Sequence, residues 1–411
     1  MKILFRNVHL YLSLAAGLVI AVLCFTGAVL VFEHELEEAF HPERYHVANT
    51  GSRRLPLQKL VGAVQAAKPQ GTITGVKVYA DPTRTMEVSL AGDRPAGGPG
   101  GEHRERGRAE QRGGSQAATP AGKPQAAKGG KGGGGRGGPT LFVNPYTAQV
   151  ISEYSYRDSF FFTMFALHRG MVAGAVGKLI VGVSTLFFLF IIGTGLVLWW
   201  PASNKVIKQR LTVKWDASWK RLNHDLHLVL GFYASLFLFV FAFTGLAWSF
   251  EWFNKGIFTL TNSEMQGPEP PQSAAGGGAR LSFDAAYAVA RQQVPGAYSY
   301  AISLPQEPTE AARINTTGPA AAYEGATDEL YLDQYTGQPL GKLAFQDRNL
   351  GQRVRRTFKP VHTGAIFGLP SKIIALVVCL LGVTFPITGV IMWLNRLKKE
   401  KKRARPVATI A

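Results

Sequence analysis

The sequence predicts a membrane α-helical protein, a four-helix bundle built from two tandem repeats, each with an exterior α/β module inserted between its two helices. Three observations predict it. Four apolar runs, near residues 10–32, 178–200, 228–250 and 373–394, carry almost no charge. At about 1.5 Å of rise per residue, each is long enough to cross a hydrocarbon core of about 30 Å. The first and third runs match at a constant offset (9 to 227): His9 with His227, Thr26-Gly27 with Thr244-Gly245, and Glu33 with Glu251. The second and fourth match at another (168 to 362): His168, Gly170, Gly174, Lys178, Thr194-Gly195 and Trp199 pair with His362, Gly364, Gly368, Lys372, Thr388-Gly389 and Trp393. Fixed offsets of this kind mark duplicated units. Each unit crosses twice, so the copies run parallel, related by a pseudo-two-fold along the membrane normal.

The boundaries run in chain order. Residues 1–34 form the first spanning helix and 35–165 the first exterior module. Residues 166–201 form the second helix, 202–222 a basic loop and 223–253 the third helix. The second module is 254–360, the fourth helix 361–396, and 397–411 a basic tail. Lys2 and Arg6 precede an apolar stretch as in a signal peptide, but the run is too long and no A-x-A site comes after it. The first module reads as a helix over Leu57–Ala67 and strands at Ile73–Tyr79, Thr85–Leu90, Thr140–Val143 and Val150–Tyr156. Between them, 92–139 is rich in Gly, Arg, Lys and Ala with almost no bulky apolar residue, and is expected to be a disordered insertion at a hairpin tip. The second module reads as a helix over Phe283–Gln293 with strands near Tyr298–Leu304, Ala311–Thr316 and Glu329–Leu332.

Charge sets the expected orientation. Lys205, Lys208, Arg210, Lys214, Lys220 and Arg221 crowd the short loop, and Arg396 to Arg405 the tail. Short basic loops stay cytoplasmic, so both termini are expected to face inward and both long segments the periplasm. The net charge of +18 resides largely beside the membrane and in the insert, which argues against nucleic acid and for membrane lipid. Cys24 and Cys379 sit in apolar runs at unmatched positions and read as inert small hydrophobes. Without a C-x-x-C-H motif any haem is non-covalent, and two cysteines are too few for an iron–sulfur cluster.

The matched histidines are the candidate metal ligands. His9 and His227 open their helices on one side, and His168 and His362 precede theirs on the other. A planar cofactor on a two-fold axis, ligated from both faces, suits such pairs, and neutral imidazole is a standard axial ligand of haem iron. Each pair, His9 with His227 and His168 with His362, is thus a candidate to hold one non-covalent haem, and hydrogen-bonded interfacial histidines are the plainer alternative. His224 stands three residues before His227 on the same expected face, an alternative ligand or a propionate partner. Arg6, Arg169 and Arg221 adjoin the ligands where propionates need cations, and Arg353, Arg355, Arg356 and Lys359 lead into His362. His34 is expected to be solvated, with exterior ligation as the alternative, Glu33 and Glu251 to be water-facing ends or contacts for a cationic or metal-bearing substrate, and His41, His46 and His103 have no assigned role. The four Thr-Gly pairs read first as small residues for close helix packing, and second as clearance for a porphyrin face. Pro386 is expected to kink the fourth helix. Zinc fits poorly, because the histidines are scattered at two depths without cysteines. No nucleophile constellation, Walker motif or Rossmann glycine motif is present.

R-x-x-H at Arg6–His9, L-H-R-G at Leu167–Gly170, N-H-D-L-H at Asn223–His227 and H-T-G at His362–Gly364 together resemble the PepSY-associated transmembrane proteins. The resemblance covers nearly the whole chain apart from the insert. It implies PepSY-like exterior modules and an inner-membrane iron-uptake protein of Gram-negative bacteria, similar to the FoxB-type ferric-siderophore reductases that hold two b-type haems on helix histidines. The expected function is then an oxidoreductase that takes electrons from a cytoplasmic donor and reduces a ferric siderophore or other ferric chelate in the periplasm. A non-enzymatic membrane sensor or regulator, or an iron or siderophore transport subunit, are the alternatives.

Overall fold

The computed structural model describes residues 1–48, 51–92, 138–201, 203–274, 278–305, 307–319, 321–323 and 325–403. Most of the expected insert, 93–137, lies outside the described residues, as does 404–411 of the basic tail. Helix α1 (Lys2–Leu30) is the first spanning element, and the short α2 (Glu33–Phe40) comes next. The first segment outside the spanning helices carries α3 (Leu57–Ala67), β1 (Ile73–Tyr79), β2 (Met86–Leu90), β3 (Thr140–Val143) and β4 (Val150–Tyr154). Then come α4 (Phe160–Gly170) and the spanning α5 (Gly174–Trp199). The third spanning element is composite: α6 (Trp219–Asp225), a π-helical turn over Leu226–Leu230, and α7 (Gly231–Ser249). Helices α8 (Glu251–Leu260) and α9 (Phe283–Gln293) lead to β5 (Ser299–Ser303), β6 (Ala312–Thr317), β7 (Asp328–Leu332) and β8 (Pro339–Leu343). The chain closes with α10 (Leu350–His362) and α11 (Leu369–Arg403).

Four helices are long and apolar enough to cross a bilayer, and only 17–33% of their apolar windows is buried within the protein. Leu18, Phe190, Leu236 and Ile387 are among the side chains they present outward. An apolar surface of that extent is stable in lipid and not in water. The chain is a membrane protein. Helix α1 packs on α5 and α11, and α7 packs on the same two, so α1 and α7 lie on one diagonal of the bundle. Small side chains at the centre, Ala16, Ala234 and Ala242, let the backbones approach.

Three of the expected spanning helices are broken, and the breaks bear on the histidines. Helix α4 ends where Met171 and Val172 turn to positive φ (48° and 57°), so His168 stands on a helix of its own before α5. The second break is at Gly364 (φ 73°) and Gly368 (φ 67°), leaving His362 as the last residue of α10. An added Cβ on Gly364 would lie 2.6 Å from Ala375 Cβ, so glycine alone fits the turn. In the third element the break is the π-turn, and His227 sits inside it. The fourth helix runs on to Arg403, beyond its expected end at 396.

Outside the bundle the two segments share one eight-stranded sheet, ordered β4-β3-β2-β1-β5-β6-β7-β8. The seam is an antiparallel pairing of β1 with β5, Val76 opposite Ile302 and Lys77 opposite Ala301. Alternating apolar positions on each strand, such as Val76 and Val78 on β1 or Tyr300 and Ile302 on β5, meet α3 and α9 in a single core. Strand β8 has no apolar alternation in its sequence, Pro-Leu-Gly-Lys-Leu, and is not among the expected strands. It forms because β7 offers it an edge.

Candidate functional site

The bundle brings His9 and His227 together at one end, with ring centroids 6.4 Å apart and planes at 82°. At the other end His168 and His362 stand 6.0 Å apart at 65°. Along α1, His9 and Thr26 are separated by 17 positions, or about 25 Å at the helical rise, which sets the distance between the two levels.

Each imidazole is held through Nδ1 by a neighbouring helix. His9 Nδ1 donates to the Ile191 carbonyl at 3.0 Å and the Thr194 hydroxyl at 3.1 Å. His168 donates to the Leu23 carbonyl and the Thr26 hydroxyl, both at 3.0 Å. His362 donates to the Phe241 carbonyl at 2.9 Å and the Thr244 hydroxyl at 3.0 Å. His227 reaches the Thr388 hydroxyl at 2.8 Å. The four hydroxyls are themselves donors to carbonyls one turn back in their own helices, at 2.7–2.9 Å. A threonine whose hydrogen is so committed accepts from the ring. The proton therefore sits on Nδ1, and the Nε2 lone pair is left free in all four histidines.

The glycine of each Thr-Gly pair makes room for the ring. An added Cβ on Gly27, Gly195, Gly245 or Gly389 would lie 3.2–3.5 Å from Cε1 of the histidine its threonine holds. The Thr-Gly pairs are thus histidine cradles as well as packing residues, which the sequence does not reveal. Their offsets are visible, but not that a threonine on α1 serves a histidine before α5.

Does this donor set suit haem? An imidazole nitrogen bonds a first-row metal at about 2.0–2.1 Å, and two such bonds with two ring half-widths span roughly 6.5 Å. Centroid distances of 6.4 and 6.0 Å match that span. Among the described residues no three His, Cys, Asp or Glu side chains converge, so a tetrahedral zinc site has no ligand set. Paired neutral imidazoles in apolar walls fit a planar macrocycle ligated on both faces.

The other expected site residues fall elsewhere. His224 is half exposed and lies 3.3 Å from the Asp225 carboxylate, and the π-turn after it breaks the simple three-residue spacing from His227. Arg221 is committed to the same buried Asp225 at 2.8 Å. Arg6 is exposed at the start of α1, and Arg169 is exposed with its guanidinium 5.8 Å from the Phe165 ring. Of the run before His362, Arg356 pairs with Glu329 at 3.3 Å. Arg355 lies 5.0 Å from the Trp248 ring, which stands 5.3 Å from His362. Burial lowers the pKa of Arg355, and its Nε donates to Asn254 at 2.6 Å. Trp248 and Asn254 carry no sequence signal, since nothing in their spacing links them to His362. His34 is exposed. His41 and His46 pair with Glu43 and Glu38, and His103 lies outside the described residues. Glu251 is exposed as expected, whereas Glu33 is half buried, and burial raises its carboxyl above the ordinary range.

The family profile described as the PepSY-associated TM region matches residues 6–396. The chain belongs to this family. Arg6 to Arg396 takes in the four candidate spanning helices, both sheet-bearing segments and both histidine pairs of this PepSY-associated membrane protein. No curated protein matches it significantly.

Proposed function

We propose that this PepSY-associated protein is a di-haem b-type oxidoreductase of the bacterial inner membrane, taking electrons from a cytoplasmic donor and delivering them to a ferric chelate, of the siderophore class, in the periplasm. The observation that carries this reading is the matched set of paired imidazoles, each held by Nδ1 with Nε2 free, at two levels about 25 Å apart along α1. Haem b would supply a one-electron Fe(III)/Fe(II) couple at each level. His9 and His227 would hold the inner group, and His168 and His362 the outer. The duplicated offsets support a tandem repeat with PepSY-like modules outside, and the basic loop at 202–222 supports cytoplasmic termini.

The chain's own residues orient the ligands and exclude water. The threonines, joined at three of the four rings by a backbone carbonyl, set the tautomer, and the apolar core around Ile20, Ile191, Leu238 and Val378 keeps the space between the levels dry. One electron delivered to chelated Fe(III) makes Fe(II), which a hard-oxygen chelator binds more weakly and releases. Exposed Arg353 and Lys359 on α10 offer an anionic chelate a landing surface near the outer pair.

A pyridine-haemochrome assay on the purified protein tests the reading, with b-type haem expected at two per chain. His9→Ala and His227→Ala should each abolish the inner group's spectrum, and His168→Ala and His362→Ala the outer's. Colourless protein after haem-replete expression rejects the oxidoreductase reading and leaves the sensor. Reduced protein that no ferric chelate reoxidises keeps the haems but requires another acceptor.

A further inference from the structure

The four histidine cradles are not equivalent. His9, His168 and His362 each donate from Nδ1 to a backbone carbonyl as well as to a threonine, at 2.9–3.0 Å. Among the described residues the Nδ1 of His227 has Thr388 alone. The matching carbonyl would be that of Phe385, the counterpart of Ile191 in the other repeat. Here the Phe385 ring, not its carbonyl, meets His227, at 5.8 Å between centroids.

Two local departures from regular helix converge on this one ligand. His227 lies in the π-turn Leu226–Leu230, which adds a residue to the turn and rotates the residues after it. On the facing helix, the residue after Phe385 is Pro386, where the other repeat has Ile192. Proline removes a backbone donor and crowds the carbonyl one turn back, so α11, though unbroken, lacks a ladder bond at this level. The glycine clearance is also the loosest of the four: 3.5 Å from the Gly389 Cβ position to His227, against 3.2–3.3 Å elsewhere. Asn223, buried one turn earlier, donates to the Thr388 carbonyl at 3.1 Å and ties the two helices at this residue.

We infer that Thr388 is the positioning residue of the inner site, the one side chain that fixes the tautomer and aim of His227, and that the inner site alone depends on a single hydroxyl. A backbone carbonyl cannot be lost by substitution, so the other three histidines keep an acceptor when their threonine is removed. His227 keeps none, and its proton is free to move to Nε2, where it blocks the lone pair. The consequence for the cofactor rests on the di-haem reading, but the tautomer does not.

Two measurements test it. First, ¹⁵N spectra of histidine-labelled, haem-free protein report the tautomer directly. T388V is expected to move one ring from the Nδ1–H form to a mixture, while T26V, T194V and T244V leave all rings in place. Second, in the haem-loaded protein T388V should release one of its two haems to an apo-globin acceptor roughly 10–100-fold faster than wild type, the usual effect of losing an outer-shell partner. T388S, which keeps the hydroxyl, should restore both signals and separates this role from a packing defect. Unchanged spectra in T388V, or equal effects in all four valine variants, overturn the inference. A wild-type protein without haem rejects the di-haem reading, and the tautomer measurement still decides the role of Thr388.

Discussion

At each histidine the neighbouring helix contributes two adjacent residues, a threonine that accepts the Nδ1 proton and a glycine that lets the ring come close. The second is as consequential as the first. At Gly245 an added Cβ would lie 3.3 Å from His362 Cε1, and the larger valine would overlap the ring. Overpacking of this kind costs about 1–3 kcal/mol when the neighbours cannot move. Gly245→Val is therefore expected to displace His362 and, on the di-haem reading proposed above, to lose the spectrum of the haem held by His168 and His362, while Gly193→Val, at a glycine with open space beside it, leaves both spectra intact. Farther out, burial pushes the Glu329 carboxyl up, but the Tyr331 hydrogen bond and the Arg348 and Arg356 guanidiniums outweigh it and hold the pKa below its ordinary value. Its stabilising contribution is thus present above the ordinary carboxylate pKa and is lost as pH falls through the lowered one. Thermal melts of the wild type between pH 6 and pH 3 should show this loss. Glu329→Gln should flatten the pH dependence and lower stability at pH 6 by about 3–5 kcal/mol, because Arg348 is left buried without its partner.

The elements divide into those that periodicity announces and those that tertiary contacts create. Helix Leu57–Ala67 and strand Ile73–Tyr79 match their apolar spacing to the residue. Strand β8 and the π-turn do not, because one depends on the edge of β7 and the other on what α6 and α7 pack against. The same holds for the site. Repeat offsets identify which histidines are equivalent, and so make the four ligand candidates legible. Offsets are silent about partners, so neither the crossed arrangement of threonine and histidine nor the single bond at His227 can be read from them. Helix α3 shows such a long-range dependence again. Its N-cap, Pro56, has no side-chain cap, and the Asp284 carboxylate on α9 accepts from Leu57 N at 2.6 Å and Gln58 N at 2.8 Å instead. Asp284→Ala should cost about 1 kcal/mol, typical of a lost cap, measurable by chemical denaturation of the full chain.

On the scale of the whole molecule, the β1–β5 seam makes the two sheet-bearing segments one folding unit. Proline at a central strand position removes a ladder bond, which is why it is confined to edge strands and bulges. Ala301→Pro, opposite Lys77, is expected to raise amide exchange across β1 and β2 as well as β5 and β6. Exchange confined to the second segment would show that the halves are stable separately.

That seam has a bearing on what can cross the bilayer. Cargo carriers built from two parallel halves work by rocking one half against the other, opening first to one compartment and then to the next. Here the halves are stitched edge to edge on one side by continuous backbone pairing, and a hinge there would have to tear a ladder to open. The electron transfer proposed above asks for no doorway, only for a frame that holds still.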